Sequence, residues 1–137
     1  IALFQQLGWP LEGFVAPAWL MSPGTRRALA HSGLRYTSDP RSLLTLPDFS
    51  ALPAPTLVWS SRRAWRRGLS LAWCTAQLRR WEQAPVLRLA LHPEDLRYPS
   101  GQAFWLSTVQ RLLDSGRRPL TKAAWLERHY RALQAAA

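Results

Sequence analysis

Cysteine is reduced to one residue, Cys74, and lysine to one, Lys122, in a chain of 137 residues. A lone cysteine excludes an internal disulfide and a cysteine-built zinc cage, and it suits a reducing, cytoplasmic setting. Long apolar runs are missing too. The longest near the start, Phe14 to Met21, covers eight residues and contains Pro17. A membrane-spanning helix needs roughly 18–20. Acidic residues are few, eight against eighteen Lys and Arg, so the net charge is +10 and almost wholly arginine. Such an excess suits solvated helix faces or an anionic partner. Sequence signatures of common chemistries are also lacking: there is no P-loop, GxGxxG, HExxH or GxSxG. Ser60, Ser61 and Ser70 have no histidine close in sequence. His31, His92 and His129 are too far apart to pair as metal ligands at helical or loop spacing.

What the chain does have is core-forming material. Eight tryptophans and 47% hydrophobic residues support a globular domain, read as one partial domain over residues 1–137. The chain opens on Ile1, and IALFQQL reads as the last turns of a helix closed by Gly8. An amino-terminal portion is therefore expected to be missing.

Periodicity then predicts alternating strands and helices. Phe14–Trp19 reads as a short strand. Ser22 and Pro23 form a helix start, with Ser22 as N-cap, and the helix runs through Thr25–His31 with Ala28 and Leu29 inward. It stops at Ser32-Gly33. Leu34–Ser38 is strand-like, and residues 39–55, with four prolines, read as a loop carrying at most one short turn or strand. Thr56–Ser60 is β-prone. A long helix from about Arg62 to Trp81, capped by Ser61, aligns Trp65, Leu69, Ala72, Trp73 and Ala76 as one inward stripe. Arg62, Arg63, Arg66, Arg67, Arg79 and Arg80 lie mostly off it. Val86–His92 reads as a buried parallel strand, and Gln102–Leu113 as a helix with Phe104, Trp105, Val109, Leu112 and Leu113 inward. After a short extended piece at Arg118–Leu120, Thr121 caps a last helix that turns Trp125, Leu126, Tyr130 and Leu133 inward. The alternation argues for a parallel α/β arrangement.

His92 is the candidate with chemistry. It ends an apolar run and is followed by Pro93, Glu94 and Asp95. In parallel sheets ligands meet the protein beyond the carboxyl ends of strands, where an imidazole can move a proton near neutral pH. Asp95 is expected to cap a following turn rather than to orient the ring. His31 and His129 fall late in helices, where they complement the carbonyl end.

Five blocks, GFVAPAWLMSPGTRRAL, GLRYTSD, LVWSSRRAWRR, LRLALHPEDLR and PLTKAAWLERH, run in order from Gly13 to about His129. Together they resemble the carboxyl-terminal half of a divergent, uncharacterised bacterial branch of the polysaccharide deacetylase family. That resemblance implies the carboxyl-terminal part of an irregular (β/α) barrel, with the amino-terminal half of the same barrel absent. It also implies metal-assisted hydrolysis of the amide of an N-acetylated sugar or related small substrate. In the family a divalent ion, usually zinc, is held by an aspartate and two histidines, a second aspartate is the base, and a late histidine protonates the leaving amine. By resemblance His92 is that late histidine, Phe14–Trp19 with Pro17 and Trp19 forms one wall of the substrate groove, and Trp59 lies in another wall. The metal triad and base would lie in the absent half, so this chain is expected to hold no metal and to be inactive alone. Two departures stand out: Val15 replaces the usual groove arginine, and no aspartate near Trp59 replaces the one that tunes the late histidine.

Two other readings remain at this stage. One is a non-catalytic, carbohydrate-binding barrel relative. The other is a basic nucleic-acid or anionic-membrane binder using the 62–81 helix. It ranks last, and no nucleic-acid partner is expected, because the tryptophans of that helix share the stripe of its leucines and so face inward.

Overall fold

The computed structural model describes residues 1–59 and 64–135. Ser60, the Ser61 cap, Arg62, Arg63 and the side chains of Trp65, Arg66 and Arg67 lie outside the described residues. In chain order the elements are α1 (Ala2–Gln6), α2 (Pro23–Ala30), β1 (Tyr36–Ser38), β2 (Ser42–Thr45), β3 (Ala51–Pro53), β4 (Thr56–Val58), α3 (Ala64–Trp81), β5 (Arg88–Ala90), α4 (Pro99–Asp114) and α5 (Lys122–Ala135). The chain is mixed α/β and divides into two compact units. One comprises Ile1–Pro53 with Pro119–Ala137, the other Ala54–Arg118.

In the first unit α1 closes at Gly8, whose φ of +67° suits glycine. The expected strand at Phe14–Trp19 does not form. Gly13 makes one parallel bridge to Tyr36, and Pro17–Trp19 turns as a short 3-10 segment. Ala18 and Trp19 there take positive φ values of 50° and 58°, which an extended strand cannot accommodate. Gly13 is required at its bridge, because a Cβ there would fall 2.4 Å from the Tyr36 ring. For α2 the reading holds: the Ser22 hydroxyl accepts from Thr25 N–H at 3.1 Å, and Gly33 follows the helix with φ +72°. Leu29 is its buried residue, while Ala28 faces out.

Residues 39–55, expected to be largely loop, supply two strands of an antiparallel sheet. Its order is β1-β2-β3, with Thr37 opposite Leu44 and Leu43 opposite Leu52. Strands joined by so few residues can pair only antiparallel. The first turn is held by Asp39 Oδ1, which accepts from Arg41 and Ser42 N–H at 2.7 Å each. Asp48 serves the second, accepting from the hydroxyls of Thr45 and Ser50. The sheet buries Thr37, Ser38, Leu43 and Leu44. In α5 the Thr121 hydroxyl caps Ala124 N–H at 3.1 Å. Leu126 is buried and Trp125 half-buried, but Tyr130 and Leu133, expected inward, are exposed.

The second unit is a β-α-β segment followed by α4. β4 and β5 pair in parallel, Thr56 opposite Arg88 and Val58 opposite Ala90. The Val86–His92 strand is thus real and parallel, but three residues long and half-buried. Leu57, Trp59, Cys74, Leu78, Phe104, Trp105 and Leu112 form the core. The inward face of α3 differs from the expected one. Cys74 and Leu78 are buried, with Leu71 and Trp81 packed beside them, a stripe at spacings of three and four. Leu69 and Trp73 are 63% and 65% exposed. Both stripes are apolar, so periodicity alone does not say which one meets the core. In α4 Gly101, Phe104, Trp105, Thr108 and Leu112 are buried, while Val109 and Leu113 face out. Arg118–Leu120 forms no strand.

Candidate functional site

His92 lies two residues beyond β5, at the carboxyl end of the parallel pair, and its side chain is exposed. It opens a 3-10 turn over Pro93–Arg97. Pro93 fits the first position of that turn, where no N–H is needed. The backbone of His92 is gripped from both sides. Its N–H donates to Asp95 Oδ2 at 3.0 Å, and its carbonyl accepts from Asp95 N–H at 2.9 Å. Asp95 therefore caps from within the turn, as its third residue reaching back to the His92 N–H, rather than ahead of a following turn. Its carboxylate fixes the backbone from which the imidazole projects.

Asp95 is fully buried. Oδ2 also accepts from the Trp105 indole Nε1 at 3.3 Å. Among the described residues Oδ1 has no hydrogen-bond partner, an unusual state for a buried carboxylate oxygen. α4 holds the turn from the other side. Gly101 sits so close that a Cβ would fall 2.3 Å from the Asp95 carbonyl and 2.4 Å from the Trp59 ring. Gln102 Nε2 donates to Leu96 O at 2.6 Å. Cys74, in the same core, donates its S–H to Val58 O at 3.2 Å. Burial pushes the Cys74 thiol up from its ordinary 9.0, a hydrogen bond with Ser70 works the other way, and the charge of Asp95 pushes it further up. A thiol so placed stays protonated and is a poor nucleophile.

The four residues singled out from sequence are placed differently. His92 is exposed at a strand end. Trp59 is 2% exposed, packed against Tyr98 and over Gly101. Its faces meet protein, so it is a core residue rather than a groove wall. Pro17 is exposed and Trp19 half-buried, and both belong to the first unit. The clamp of Asp95 by Trp105 and Gly101 went unread. A glycine in the first turn of a helix, just after an x-Pro-Glu-Asp turn, was the available signal.

Among the described residues no three His, Cys, Asp or Glu side chains gather as metal ligands. The acid nearest His92 in sequence after Glu94, Asp95, is committed to the cap, and Glu94 pairs with Arg97 at 3.1 Å. The described residues therefore do not fit a divalent-ion site. No described helix is long and apolar enough to cross a membrane. No protein-family model, curated protein or solved structure matches this chain.

Proposed function

We propose that this chain is the carboxyl-terminal part of a (β/α)-barrel hydrolase of the polysaccharide deacetylase type, and that His92 is its proton donor. The reading is supported by one observation: an exposed imidazole at the carboxyl end of a parallel strand, its backbone fixed by a buried carboxylate. In that role the ring gives its proton to the amine nitrogen as the C–N bond of the acetamide breaks. Water supplies the oxygen of the released acetate. A divalent ion and a general base would come from residues outside this chain. Pro17 and Trp19 are retained as sugar contacts on the strength of the resemblance alone.

The test is acetate release from N-acetylated oligosaccharides by the intact gene product. Substituting His92→Gln lowers kcat by about 10²–10⁴ with little change in KM, as expected for a lost general acid. Unchanged turnover in that variant overturns the assignment. Activity of residues 1–137 alone contradicts the claim that ion and base lie elsewhere.

A further inference from the structure

The second unit holds eleven of the eighteen basic residues and four of the eight acidic ones, a net charge of +7. Six of those arginines fall within residues 62–81, where there is no acid. α3 turns one apolar stripe to the core through Leu71, Cys74, Leu78 and Trp81. Its other side presents Leu69 and Trp73, one turn apart and both more than 60% exposed. Ala76 and Arg80 continue that line at helical spacing and are exposed as well. A solvated helix face carries charges there, not leucine and tryptophan.

We propose that this outer face of α3 docks on an anionic lipid bilayer surface, the helix lying parallel to it. Trp73 and Leu69 seat at the boundary of headgroups and acyl chains, and the exposed Arg79 and Arg80 extend their heads to lipid phosphates while their stems stay in the apolar layer. The charge of the unit favours an acidic surface and opposes a second copy of itself. A nucleic acid is a poorer fit. Base stacking uses successive aromatic rings, and Leu69 offers no π face. This inference rests on α3 alone and is independent of the role given to His92.

The test is co-sedimentation of the full chain with phosphatidylcholine vesicles, with and without phosphatidylserine, beside binding to a single-stranded oligonucleotide. Binding to the phosphatidylserine vesicles only, weakened by salt, is expected. Leu69→Ser and Trp73→Ser each weaken it at least about tenfold with an unchanged circular-dichroism spectrum. Arg79→Gln with Arg80→Gln weakens it about 30-fold. Leu106→Ser, on an exposed position of α4, leaves it unchanged. The proposal is overturned if vesicles are not bound, if the Leu69 and Trp73 variants bind like the parent, or if Leu106→Ser weakens binding as much. Oligonucleotide binding lost on Trp73→Ser, with no vesicle binding, assigns the face to nucleic acid instead.

Discussion

Trp105 and Asp95 are joined inside the second unit by an indole-to-carboxylate hydrogen bond, Nε1 to Oδ2 at 3.3 Å. The same oxygen takes the N–H of His92, so one buried atom links α4 to the turn that carries the exposed imidazole. Trp105→Phe keeps most of the ring volume and removes the donor. It is expected to destabilise the chain by about 1–3 kcal/mol, the cost of under-satisfying a buried carboxylate. Asp95→Ala loses the cap and strands the indole N–H, and costs about 2–4 kcal/mol. Urea unfolding of both variants measures this. Stabilities equal to the parent's would deny the clamp.

Glycines offer a contrast of sign. At Gly101 a methyl group collides with a backbone carbonyl and a large buried ring, so Gly101→Ala is expected to destabilise by about 1–3 kcal/mol or prevent folding. Gly68, exposed within α3, has no described atom within 4 Å of its would-be Cβ. Gly68→Ala is expected to stabilise by about 0.5–1 kcal/mol through helix propensity. Thermal melts of the two variants should move in opposite directions.

The orientation of α3 is open to the same kind of check. Leu78→Ala deletes a core side chain and costs about 2–5 kcal/mol. Trp73→Ala, despite removing far more atoms, changes stability by less than about 0.5 kcal/mol because the ring is solvated. If the order were reversed, the inward face would be the one containing Leu69 and Trp73.

How much of this was legible depended on whether a local signal was unique. Ser22-Pro23 and Thr121 are caps with one physical meaning, and both helices start there. Pro85 and Pro93 bracket the apolar run that holds β5. The failures came where two readings had equal support. α3 is apolar on two sides, so Trp73 was turned inward when Cys74 and Leu78 are the residues that pack. The prolines of 39–55 hid β2 and β3, because strands of three or four residues leave little alternation to detect. Phe14–Trp19 reads as a strand, whereas the positive φ of Ala18 and Trp19 prevents one there. Trp59 is a groove wall only by the resemblance, and no sequence signal shows that Gly101 leaves room for its ring in the core.

Alkaline pH probes the core thiol. Cys74 holds its proton more tightly when folded, so the unfolded chain ionises first as pH rises through about 9.0. The native state then binds more protons than the unfolded state, and stability falls with rising pH. Tyr36 shifts the same way, mainly through burial, but from 10.0. Urea midpoints between those two values isolate the cysteine, and Cys74→Ala is expected to flatten the fall there. A slope unchanged in Cys74→Ala would remove the thiol as its cause.

The most direct measurement is acetate release by the intact gene product with and without the His92 imidazole. A proton donor at position 92 predicts that His92→Gln lowers kcat by at least about 100-fold and that added imidazole restores part of the activity. Parental turnover in His92→Gln, or a loss that added imidazole leaves untouched, would contradict the account.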